Sequence, residues 1–96
     1  LNVKFSPQAE ADLIAIHTYI ADQDKLAADR ILSRLRQETE TLGHFPMLGR
    51  KGAVAGTREF PVHGLSYTVV YQVASNTDLD IVTIVHQRRR YPPSED

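Results

Sequence analysis

A chain of 96 residues with no cysteine and a formal net charge of −1 has room for one domain, predicted over 1–96, whose core buries roughly two-thirds of the unfolded surface. The composition excludes a disulfide framework and thiolate metal sites, and a charge so near zero excludes a protein whose whole surface coats nucleic acid. The apolar stretches are short and interrupted, and the opening "LNVKFSPQ" lacks a basic and then long apolar layout, so neither membrane insertion nor export is expected and the cytoplasm is the predicted location.

In chain order, "LNVKF" alternates over too few residues to stand alone and is predicted to be a strand that leans on a sheet. Ser6 and Pro7 mark a helix start, because the hydroxyl can accept an orphan amide hydrogen bond and proline at the first helical position forfeits none. Ala9, Leu13, Ile16 and Ile20 then recur at helical spacing, with Glu10, Asp12 and His17 mostly off the stripe. "DQDK" interrupts the pattern, Asp24 is placed to cap, and Ala28, Ile31, Leu32, Leu35 and Leu42 form a second stripe, so the two segments are predicted to be a helical hairpin. Arg30, Arg34 and Glu38 at four-residue intervals read as a solvated face with weak ion pairs. "GHFPMLGRKGAVAG", with its four glycines and a proline, is predicted to be a long irregular connection.

Beyond it the period changes to two. "TREFPV", "SYTVVYQV" and "LDIVTIVH", separated by "HGL" and "ASNTD", are predicted to be a three-stranded antiparallel meander, giving an α+β domain. Strict alternation places Tyr67, Val69, Tyr71 and Val73 on one face of the middle strand and Leu79, Ile81, Thr83 and Val85 on one face of the last. Val70, Val82 and Ile84 are then apolar on the other face, which implies that a loop or another chain covers it. In this register Arg58 lies opposite Tyr71 and then Ile81, and His86 lies opposite Ser66. About five residues of strand separate Arg58 from His86 by ~17 Å, too far to share one phosphate.

The charge is unevenly spread. Residues 1–48 hold five Lys/Arg against seven Asp/Glu, whereas residues 49–91 hold six against three, so any basic face belongs to the second half. Arg88, Arg89 and Arg90 are adjacent like charges, and an anionic partner is as natural a reading of them as solvation. Arg50 and Arg58 read as supporting basic residues that could equally anchor the glycine-rich connection. His17, His44 and His63 lack carboxylate or thiol company at ligand spacing, so no metal and no cofactor is expected.

The order strand, two helices, glycine-rich connection and three strands, carried by "SPQAEADLIAIHTYIAD", "LGHFPMLGR", "GTREFPVHGLSYTVVYQV" and "IVHQRRRYP", resembles the RelE/ParE superfamily of toxins from bacterial type II toxin-antitoxin systems. The resemblance implies a toxin with no membrane role, neutralised in a hetero-oligomer by a cognate antitoxin that partly wraps it. It implies one of two targets: RelE-like members cut messenger RNA in the ribosomal A site, and ParE-like members poison DNA gyrase. For the first, His86, Arg88 and Tyr91 would be the base, phosphate contact and acid. Yet Thr68 stands where RelE-like strands carry an arginine, and Glu59 and Pro61 stand near their lysines. Gly49 and Arg50, Arg58, and Val85 and His86 resemble ParE-like members instead. The expected reading is therefore a plasmid-stabilisation toxin that inhibits DNA gyrase, with Arg88, Arg89 and Arg90 as the target-binding residues and no acid–base chemistry. A ribosome-dependent endoribonuclease acting on mRNA, and an inactive relative that retains only antitoxin binding, stay open beside it.

Overall fold

The computed structural model describes residues 1–89 and 91–93. The elements are β1 (Asn2–Phe5), α1 (Pro7–Ala21), α2 (Lys25–His44), β2 (Arg50–Lys51), β3 (Arg58–Pro61), β4 (Tyr67–Val73) and β5 (Asp78–His86). The predicted meander is present as β3, β4 and β5, but it is the centre of a five-stranded mixed sheet ordered β1-β5-β4-β3-β2. β1 joins β5 in parallel, with Val3 beside Leu79 and Phe5 beside Ile81. A connection this long, carrying two helices, is what a parallel pair requires.

Both helices start where the residues dictate. The Ser6 hydroxyl accepts from the Ala9 amide and Pro7 follows it, while the Asp24 carboxylate accepts from the Ala27 amide. Their apolar stripes pack on one face of the sheet, where Ala9, Leu13, Leu35 and Leu42 meet Val62, Val69, Tyr71, Leu79, Ile81 and Ile84. α2 runs further than its stripe announces, because Gly43 and His44 continue the helix instead of opening the connection. At Gly43 a side chain would come within 2.8 Å of Val3, so the glycine lets the end of α2 lie close to β1. The connection itself is also less irregular than expected: Arg50 and Lys51 form a short edge strand opposite Glu59 and Arg58.

The larger departure is in β5. Strict alternation fails because one extra residue is inserted there, with Tyr71 facing Ile81 but Val70 facing Thr83. Such a bulge exchanges the faces of everything beyond it. Ile84 therefore turns into the helix-side core opposite Val69, and Val85 turns to the other face opposite Thr68. The expected pairing of Arg58 with Tyr71 and Ile81 is found, whereas His86 lies opposite Tyr67 and not Ser66.

The bulge is held from α1. In a regular strand successive carbonyls point to opposite edges, yet Ile81 O and Val82 O both reach Ser6, the first accepting from its amide at 3.0 Å and the second from its hydroxyl at 2.7 Å. Asp12 Oδ2 then accepts from the Ile84 amide at 2.9 Å and from the Thr83 hydroxyl. Ser6 and Asp12 thus continue the hydrogen-bonded edge of β5 after β1 ends.

Candidate functional site

The sheet face away from the helices carries a shallow pocket of about 260 Å³ lined by Arg50, Glu59, Pro61, Thr68, Val85, Gln87, Arg89 and Tyr91. Val85 comes from the end of β5, and Gln87, Arg89 and Tyr91 reach the same pocket from the turn and the segment that follow it. Glu59 is committed within the protein: it accepts from the Ala53 amide at 2.9 Å and lies 3.6 Å from the Arg50 guanidinium. Arg50 thus supports the connection between β2 and β3 while remaining mostly open to solvent.

Arg58 has a different task. Its guanidinium donates to Gly49 O, and the adjacent Tyr71 hydroxyl donates to Pro46 O at 2.7 Å while accepting from the Gly49 amide at 2.8 Å. Tyr71 is fully buried, and burial raises its pKa above the usual tyrosine value, against the lowering effects of the Gly49 amide and the Arg58 charge. Gly49 has no room for a side chain there, because a Cβ would come within 2.6 Å of the Tyr71 hydroxyl. These contacts fix 46–49 against the sheet and present Phe45, Met47 and Leu48 to solvent.

The three residues that a nuclease reading needs do not converge. His86 stands across from Tyr67 with ring centroids 5.4 Å apart and an interplanar angle of 82°. Alternation places this pair on the helix side, opposite to Thr68 and Val85. Its Nδ1 accepts from the Arg88 amide at 3.1 Å and its carbonyl from the Arg89 amide at 2.9 Å, so the imidazole caps the turn that ends β5. Tyr91 is half-buried in the pocket of the other face. Arg88 is exposed, Arg89 contributes to the pocket, and Arg90 lies outside the described residues.

On the hairpin a second groove of about 160 Å³ is lined by Glu10, Leu13, Ile14, His17, Thr18, Leu32 and Arg36. Ile14, Tyr19 and Leu26 are exposed on the same two helices, Tyr19 by 79%. His17, whose sequence neighbours offered it no carboxylate, meets Asp29 across the hairpin at 2.7 Å, and Lys25 approaches the same carboxylate at 3.1 Å. The bonds from His17 and Lys25 hold Asp29 below the ordinary carboxylate range. Arg34 joins Glu38 as its spacing implied and also donates to His63 O, which ties α2 to the turn between β3 and β4. Among the described residues no helix is long and apolar enough to cross a membrane.

Comparison with known proteins identifies the class. The family described as the ParE toxin of the type II toxin-antitoxin system, parDE, matches residues 3–91, and the chain belongs to it. It is 39% identical over 82 residues to toxin RelE2 of Caulobacter vibrioides, covering 85% of this chain and 90% of that protein. It is 28% identical over 90 residues to Y4kP of Sinorhizobium fredii, provisionally named a toxin, covering 94% and 92%. Among solved structures, the fold is similar to a chromosomal ParDE system of P. aeruginosa, with TM-score 0.80 at 19% identity over 90% of this chain and 95% of that one. It is also similar to the RelBE2 toxin-antitoxin complex of Mycobacterium tuberculosis, with TM-score 0.66 at 20% identity over 88% and 95%. The protein is a type II toxin of the ParE/RelE family.

Proposed function

We propose that this toxin inhibits DNA gyrase by binding, through the basic stretch after β5, and that a cognate antitoxin neutralises it. One observation carries the choice of target: Glu59, Pro61 and Thr68, the positions at which the resemblance places RelE-like cations, line one pocket together and supply no positive charge to it. Cleavage through a ribose 2′-hydroxyl needs a base, an acid and cations around the phosphate, all within reach of one another. Here Glu59 brings negative charge to the pocket that holds Tyr91, and His86 lies on the opposite face of the sheet. A positively charged surface is enough for a protein that acts by occupying its target.

The antitoxin reading is supported by the hairpin groove with its exposed Ile14, Tyr19 and Leu26, an apolar surface suited to an amphipathic segment. An acidic continuation of that segment would offset the arginines after β5.

The reading is tested by inducing the protein in cells without an antitoxin. Arrested replication and an induced DNA-damage response are expected. Translation arrest with intact replication would favour the ribosome-dependent nuclease, and unimpaired growth would favour a relative that only binds antitoxin. Raising the protein free of any partner, with no effect on growth, would also count against the antitoxin complex.

A further inference from the structure

We infer that Asp12, with Ser6, selects between two registers of β5 and so decides which residues at the end of that strand face the second side of the sheet. Two pairings of β5 with β4 are open to this sequence. In the bulged one, Tyr67 faces His86, Val69 faces Ile84 and Val70 faces Thr83. Without the extra residue the chain pairs regularly from Ile81 onward, so that Val70 faces Val82, Val69 faces Thr83 and Tyr67 faces Val85. Hydrophobic pattern discriminates weakly between them, because Val82, Ile84 and Val85 are all apolar and each register leaves an apolar residue on both faces.

The edge of β5 makes the distinction that the pattern does not. In the regular register Val82 O and the Ile84 amide would both point toward β4. The Ser6 hydroxyl would lose its acceptor and Asp12 Oδ2 its backbone donor. Only the bulged register turns these groups outward, where Ser6 and Asp12 take them at 2.7 and 2.9 Å and Asp12 also receives the Thr83 hydroxyl. Gln8 donates to the other Asp12 oxygen at 2.8 Å, which orients the carboxylate. Bonds to a carboxylate are stronger than neutral ones, and these are made in one register alone.

The consequence reaches the pocket. With the bulge, Val85 stands opposite Thr68 in the pocket and His86, which holds the turn bearing Arg88 and Arg89, stands on the helix side; without it Ile84 would lie opposite Thr68 and His86 would turn to the pocket face. Asp12 is therefore a positioning residue for the target-contact surface, a role that rests on the reading given under Proposed function.

The test is the pattern of cross-strand contacts in the full chain, followed by nuclear Overhauser effects, with growth arrest measured separately. The parent should give Tyr67–His86 and Val69–Ile84 contacts. Asp12→Ala should weaken these and introduce Tyr67–Val85 and Val69–Thr83, and the milder Thr83→Val, which removes one donor and keeps the shape, should do so in smaller proportion if the first variant fails to fold. Deleting Val82 in the Asp12→Ala background should restore the parental contacts and the growth arrest together, because a chain lacking the extra residue reaches the same faces by regular pairing. Parental contacts retained in both substituted chains would overturn the inference, as would a deletion that rescues neither. Contacts that shift as expected while growth arrest stays at the parental level would leave register selection standing and sink the target-contact reading instead.

Discussion

The two faces of the sheet follow different physical rules. On the helix side, Leu13, Leu35, Val69, Tyr71, Leu79, Ile81 and Ile84 are buried in one apolar cluster, and what matters is volume and exclusion of water. On the other side the buried Thr68 lines a pocket with Glu59, Arg50, Gln87, Arg89 and Tyr91, and what matters is where charges and hydrogen-bonding groups point. The first face makes the domain stable; the second offers it a surface to present. Stability and surface chemistry are thus separable in this toxin, with β5 as the strand that serves both.

Substitutions can break or sharpen that separation. The largest effect belongs to the helix face: Leu35→Asp buries an unpaired carboxylate at a cost of several kcal/mol, comparable to the ~5–15 kcal/mol that holds such a domain together. Loss of the cooperative thermal transition is expected, and a parental melting curve would mean the core lies elsewhere. Tyr71→Phe keeps the ring but strands the Gly49 amide and Pro46 carbonyl, so a loss of about 2–4 kcal/mol is expected from denaturant midpoints. Arg88→Glu with Arg89→Glu should leave stability within ~0.5 kcal/mol, because the changes are at the surface, while weakening growth arrest. A smaller effect comes from pH. Burial raises both Tyr67 and Tyr71 above the reference value of 10.0. The folded state therefore holds their protons more tightly than the unfolded one, and the associated stability is intact below pH 10 and lost as pH rises through the raised values. Unfolding midpoints should fall on the alkaline side, and by less in Tyr71→Phe relative to its own neutral value.

Much of the helix face was legible in the sequence, because periodic burial leaves a periodic trace. The Ser6 and Asp24 caps, both apolar stripes and the meander all follow from spacing and residue type, and the pairing of Arg58 with Tyr71 and Ile81 is as the turn lengths implied. The second face was not legible in the same way. Reading 79–86 by alternation is self-consistent and puts Ile84 and Val85 on the wrong sides, because the bulge is determined by Asp12, 71 residues from Thr83. Asp12 itself looked like a solvated residue off the apolar stripe. The role of Tyr71 in holding 46–49 was hidden for the same reason, since its partners are 22 and 25 residues away. A carboxylate six residues after the Ser6 cap of α1, together with two Thr-containing apolar runs, is too common a pattern to announce such contacts.

The proposed mode of action is occupation of the target, with no residue transferring a proton. Its most direct test pairs purified toxin, parent and Tyr91→Phe, with two systems: gyrase on supercoiled DNA and programmed ribosomes carrying messenger. Both proteins are expected to trap cleaved DNA with gyrase and leave the messenger whole. Tyr91→Phe should match the parent, since action by binding makes no use of that hydroxyl's proton. Codon-specific cuts in A-site messenger, reduced about 10²- to 10⁴-fold by that single oxygen as expected for loss of a general acid, would contradict it.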